Sequence, residues 1–169
     1  AFQKVAGDAC KRKLQGAGFM MIGVGNDTNA CVFRTSVVGD STDAHSDQAV
    51  TATVQLGKVS SAKLQKKAYV GVGVRQSDTA AYELRVLPNS QKWQVFRDPA
   101  GSAATAIVQA GSGKFIRVGS KPNTISIRAF SFGGASTSLV ASVNGHAVAS
   151  QNDSGTDQPD GRRTVVSVG

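Results

Sequence analysis

Carboxylates, sulfhydryls and imidazoles are all scarce in this sequence. Its 169 residues include one glutamate, Glu83, two cysteines, Cys10 and Cys31, and two histidines, His45 and His146. A glycosidase of the usual kind needs two carboxyl groups facing the scissile bond. The acids nearest Glu83 in sequence, Asp78 and Asp98, fall in segments that read as loops. Serine or cysteine nucleophiles need a base beside them, and no G-x-S-x-G elbow accompanies either histidine. With no CxxC spacing and only two imidazoles, a Cys/His zinc cage cannot be assembled. The chain therefore reads as a non-catalytic domain that needs no cofactor.

Long hydrophobic runs are also missing. The longest uncharged stretches, 14–26, 99–113 and 129–145, are laced with Gly, Ser, Thr or Asn and fall short of the roughly 20 apolar residues of a membrane helix. No membrane insertion by this segment is expected. The sequence opens on Ala1 without an initiator Met or a leader, which suggests a processed secreted form or a piece of a longer, membrane-anchored protein. The isolated cysteine pair suits a Cys10–Cys31 disulfide, which would restrict the unfolded chain by roughly 3 kcal/mol and imply an extracytoplasmic location. Two buried thiols of a cytosolic protein are the alternative.

What the chain does have is 19 Gly, 40% hydrophobic residues and 19 Lys plus Arg against 11 Asp plus Glu, a formal charge of +8. That composition suits one compact domain able to bury roughly 70% of its unfolded surface. Apolar residues alternate with polar ones at Val50, Ala52, Val54 and Leu56, at Val70, Val72 and Val74, and at Tyr82, Leu84 and Val86. The pattern returns at Ile125, Ile127 and Ala129, at Leu139, Ala141 and Val143, and at Thr164, Val166 and Val168, the period of half-buried strands. Turn residues separate these runs at Pro88-Asn89-Ser90, Asp98-Pro99-Ala100-Gly101, Asn144-Gly145 and Pro159-Asp160-Gly161. Asn-Gly is the strongest of these hairpin signals, since a type I′ turn needs positive φ at both central residues. Only 58–67 could make a helical turn or two. Ten to twelve strands with at most one short helix predict an all-β antiparallel sandwich or barrel.

From Lys67 onward the order of motifs resembles the concanavalin A-like lectin/glucanase superfamily in its laminin-G-like, jelly-roll form. The residues that carry it are Gly71 with Arg75, Tyr82 with Leu84 and Val86, Trp93 with Val95 and Arg97, Asn123 with Ile125 and Ile127, Val143-Asn144-Gly145, and Asp153. The resemblance covers about the last hundred residues and implies a single domain with a family-like core over 46–169, which leaves 1–45 as unmatched N-terminal strands with a private disulfide. It implies two antiparallel sheets, one convex and one concave, with a ligand groove on the concave side. The E-x-D-x-x-E strand of the family's glucanases is absent. It further suggests an extracytoplasmic binding or sensor module, bacterial in type and carried by a membrane-anchored protein such as a receptor Ser/Thr kinase. A carbohydrate-active enzyme with an unusual acid/base is the rival.

Strand parity nominates the site. If Val70, Val72 and Val74 face the core, Tyr69, Gly71, Gly73 and Arg75 face outward, and the neighbouring strand adds Glu83 and Arg85. The two glycines would leave backbone open to a ligand, or accommodate a close neighbour. Trp93 and Arg97 join the candidates, although parity leaves open whether Trp93 is a sugar platform or core. The expected partner is a glycan or an anionic cell-envelope ligand. The basic runs Lys11-Arg12-Lys13, Lys63 with Lys66-Lys67, and Arg162-Arg163 read as solubilising surface or as attraction to a polyanion. Nucleic acid is disfavoured, because few aromatics interleave with the basic residues. The loop 39–47, with Asp40, Asp43, His45 and Asp47, reads as solvated. Ca²⁺ there lacks the EF-hand spacing and its bidentate Glu. His146 reads as an exposed strand residue.

Overall fold

In a computed structural model of the chain, residues 3–6, 11–15, 18–22, 31–34, 47–57, 65–77, 80–98, 106–132, 136–155 and 158–169 are described. Thirteen strands form among them: β1 (Gln3–Ala6), β2 (Lys11–Gln15), β3 (Gly18–Ile22), β4 (Cys31–Arg34), β5 (Gln48–Val54), β6 (Val70–Gln76), β7 (Ala81–Leu87), β8 (Lys92–Asp98), β9 (Ala106–Ser112), β10 (Asn123–Phe132), β11 (Ser136–Val143), β12 (His146–Asp153) and β13 (Arg163–Val168). They build a seven-stranded sheet in the order β1-β4-β13-β6-β7-β8-β9, a four-stranded sheet β12-β11-β10-β5 and a β2-β3 hairpin. The two larger sheets are antiparallel throughout. This is the expected two-sheet antiparallel sandwich. Among the described residues, only a 3-10 turn at Pro88–Ser90 is helical in kind over more than one residue. The candidate helix 58–67 falls largely outside the described residues, as do Cys10 and its pairing and loop positions 39–46.

Alternation places the core as the sequence predicts. Val72, Val74, Leu84, Val86 and Val95 of the larger sheet meet Ile125, Ile127, Ala129, Leu139, Ala141 and Val143 of the smaller one, all at or near zero exposure. Each buried Val, Leu or Ile contributes roughly 1.5–3 kcal/mol, so the two inner faces dominate the stability. The β11–β12 hairpin turns on Asn144 (φ 50°) and Gly145 (φ 83°), the positive pair that Asn-Gly supplies without strain.

One irregularity positions a side chain that a uniform period of two would misplace. Between Gly73 and Gln76 strand β6 spends one residue more than its partner β13 does between Val165 and Arg163. Such a bulge shifts parity by one. It is centred at Arg75, whose φ is 53°. The Arg75 N–H, turned out of the ladder, donates to Gln48 Oε1 at 2.8 Å, and its carbonyl accepts from Gly161 N–H at 3.1 Å. A second bulge lies opposite Val95 and Phe96, in β9, so β8 keeps its own alternation.

Candidate functional site

The bulge corrects the first site expectation. Arg75 does not face outward: it is fully buried, crosses between the sheets and donates from Nη1 to Thr137 Oγ1 at 2.6 Å and from Nη2 to Ser131 Oγ at 2.7 Å. Those hydroxyls belong to β11 and β10 of the opposite sheet, so Arg75 ties the layers together rather than meeting a ligand.

Trp93 and Arg97 also point inward, because β8 pairs Trp93 with Val86, Val95 with Leu84 and Arg97 with Tyr82, all on the inner face. Trp93 is 7% exposed, and its indole lies so close over Gly111 that a Cβ there would come within 2.7 Å of Cζ2. Arg97 Nε lies 2.7 Å from Asp153 Oδ2 without the alignment of a hydrogen bond, so that contact is Coulombic. The same Oδ2 accepts from Tyr82 Oη at 2.6 Å, and Oδ1 accepts from Gly155 N–H at 2.9 Å. Burial, and then the hydrogen bond and negative charge of Asp153, push the Tyr82 phenol well above its ordinary value. The motif residues Arg75, Tyr82, Arg97 and Asp153 therefore gather as a polar seam closing one end of the sandwich. Asn123 and Asn144 do the same at the other end, where Asn144 Nδ2 donates to Asn123 Oδ1 at 2.7 Å and to Phe115 O at 2.8 Å.

Tyr69, Glu83 and Arg85 do come together on the outer face of the larger sheet. The Arg85 guanidinium stacks 4.8 Å from the Tyr69 ring centroid and 4.2 Å from that of Phe96, and its Nε and Nη2 donate to Glu83 Oε2 at 2.8 and 2.6 Å. Glu83 Oε1 accepts from the Ser167 hydroxyl. The glycines that were to expose backbone are filled instead: a Cβ at Gly71 would lie 2.4 Å from Ser167 Oγ and 2.6 Å from Glu83 Oε1, and one at Gly73 would lie 2.6 Å from Val165 Cγ2. The centre of this face is closed, with Glu83 5% and Ser167 2% exposed. Solvent reaches the Arg85 side chain, 24% exposed, and its half-buried neighbours Tyr69 and Phe96. Phe96 and Ser167 escaped sequence reasoning, since each reaches the site only through strand register, Phe96 opposite Glu83 and Ser167 opposite Gly71.

Both Glu83 oxygens are thus engaged by neighbours rather than turned toward a reacting bond, and among the described residues no three His, Cys, Asp or Glu side chains converge to hold a metal. Asp47, the described end of the acidic loop, pairs with Arg128 Nη2 at 3.2 Å on the surface. No family model and no curated protein matches the chain in sequence. Among solved structures it is similar to the carbohydrate-binding module CBM66 from Bacillus subtilis, with a TM-score of 0.66 over 99% of this chain and 90% of that chain at 12% identity. The chain shares that module's β-sandwich fold. At this identity the likeness extends to the fold and no further.

Proposed function

We propose that this chain is a non-catalytic glycan-binding module working outside the cytoplasm, and that its ligand meets the rim formed by Tyr69, Arg85 and Phe96, with Glu83 fixing the guanidinium. The observation that carries the reading is this aromatic–guanidinium stack at the solvent edge of a sandwich whose fold is shared with a carbohydrate-binding module. Apolar ring edges beside a planar donor suit a pyranose or furanose, which offers C–H faces and hydroxyl acceptors together. Membership of the concanavalin A-like superfamily, and a place as the outer module of a membrane-anchored protein such as a receptor Ser/Thr kinase, belong to the same proposal. The motif order from Lys67 and the two-sheet sandwich support the first, and protease accessibility of the full-length protein in intact cells tests the second.

Calorimetric titration against a panel of cell-envelope and storage polysaccharides is the direct test. Arg85→Gln and Tyr69→Ala should each weaken a binding glycan at least ~5-fold, the loss of one good contact. Full affinity in both variants would move the site elsewhere. Turnover of any panel member that Glu83→Gln abolishes would promote the enzyme rival.

A further inference from the structure

Six exposed cations of this protein gather at one end of the sandwich, in or beside segments that carry no acid. The segments meeting at the Asn144 end are 65–68, which stop short of the rim residue Tyr69, the turn 88–91, the β9–β10 connection 113–122 and the turn 144–145 with His146. They carry Lys66, Lys67, Lys114, Arg117 and Lys121, with Lys92 adjoining as the first residue of β8, and all six are exposed. None of these segments contains an acid. The acids among the described residues are elsewhere: Asp47 opens β5, Asp98 and Asp153 close β8 and β12 at the far end, Asp160 precedes β13, and Glu83 is on the sheet face. Among the described residues none of the six cations enters an ion pair. Six like charges at one end, unpaired among the described residues, cost self-repulsion and create a potential that an anionic partner would relieve.

The surface is also built rather than loose. Asn89 Oδ1 accepts from Gly119 N–H at 3.1 Å while its Nδ2 donates to Gln65 O at 3.0 Å, and Gln91 Nε2 donates to Ile116 O at 2.8 Å. Asn123 Oδ1 accepts from Arg117 N–H at 2.9 Å and its Nδ2 returns to Arg117 O at 2.9 Å. Side-chain amides thus lock all four segments to one another, so little loop ordering would remain to oppose association. Phe115 and His146 stack at 4.7 Å with planes 22° apart in their midst.

We infer that this end is a second binding site, independent of the Tyr69–Arg85 rim, and that it takes an anionic polysaccharide. Five of the six cations are lysines, point charges without the bidentate fork that arginine offers to single phosphates. They suit a polymer with charges repeated along it. The two rings stack on each other rather than standing apart as the base platforms that single-stranded nucleic acids use, which favours a glycan over an oligonucleotide.

The test uses the whole chain and four probes: polygalacturonate for carboxylates, dextran sulfate for sulfate esters, neutral dextran, and a mixed-sequence single-stranded oligonucleotide. At least one anionic polysaccharide should bind, neutral dextran should not, and affinity should fall steeply between about 50 and 200 mM salt as counterions are released. The triple variant Lys92→Gln, Lys114→Gln, Lys121→Gln, all exposed positions whose folding is checked by near-UV circular dichroism, should lose at least ~10-fold affinity and about 2 units of salt slope. Arg128→Gln, an exposed cation outside both sites, should leave this binding unchanged. Unaltered polyanion binding by the triple variant, salt-independent binding, binding to neither anionic polysaccharide, or tighter binding of the oligonucleotide would overturn the proposal. Loss of glycan binding in Arg85→Gln alone would concern the rim and not this end.

Discussion

Replacing Asp153 by alanine should come close to opening the sandwich at one end. Its carboxylate accepts from two donors, the Tyr82 hydroxyl at 2.6 Å and the Gly155 N–H at 2.9 Å, and lies 2.7 Å from the Arg97 guanidinium in an ion pair. Truncation leaves Arg97 as an uncompensated charge, a loss of about 3–5 kcal/mol when such a pair is buried. It also strands the fully buried Tyr82 hydroxyl, worth a further ~1–3 kcal/mol. The Arg97 and Asp153 side chains retain 19% and 12% exposure, so water recovers part of this, and a net loss of about 3–4 kcal/mol is expected. Against a total stability of ~5–15 kcal/mol that is a large fraction, visible in urea unfolding as a midpoint lowered by roughly 1–3 M. Asp153→Asn, which keeps shape and an acceptor for Tyr82 but drops the charge, should fall between wild type and alanine. A loss below ~1 kcal/mol for Asp153→Ala, the value of an ordinary surface pair, would refute the seam as a structural tie.

Further outcomes follow from the same geometry. Tyr82 holds its proton more tightly folded than unfolded, so its contribution is intact below its ordinary pKa of 10.0 and declines by about 1.4 kcal/mol per pH unit above it. The stability difference between wild type and Tyr82→Phe, followed by urea titration from pH 8 to 11, should therefore shrink above pH 10, and a constant difference would count against the buried phenol. Gly71→Ala should cost about 1–3 kcal/mol by overpacking against Ser167 and Glu83, whereas Gly57→Ala, with nothing within 4 Å, should be neutral or slightly stabilising; equal thermal shifts in the two variants would contradict the packing. A Cys10–Cys31 bond should add two hydrogens to the intact mass on reduction, and an unchanged mass would remove the cysteine argument for an oxidising compartment.

Much of the architecture was legible because burial on one face of a strand imposes a period of two, and the Val70, Tyr82, Ile125 and Leu139 runs obey it. The site was legible only in part, and Arg75 shows why. One extra residue in β6 leaves no compositional trace, yet it inverts every inference of side made beyond it. Trp93 and Arg97 were ambiguous for a different reason: their strand carries large residues on both faces, Trp93 and Val95 against Phe96, so only the pairing of Leu84 with Val95 decides which face is core. The cationic end was invisible as a unit because its charges are scattered from Lys66 to Lys121 and meet only through loop hydrogen bonds.

The position of β13 has a consequence for how the chain reaches its fold. This strand, residues 163–168, lies between β4 and β6, so the β1–β4 pair can join the rest of its sheet only after those residues have been synthesised. On a ribosome the early strands must wait, with an open edge, until residues 163–168 have emerged. Folding should accordingly be slow, as for other topologies dominated by distant pairings, and removal of β13 should separate β1 and β4 from the sandwich rather than merely fray its border.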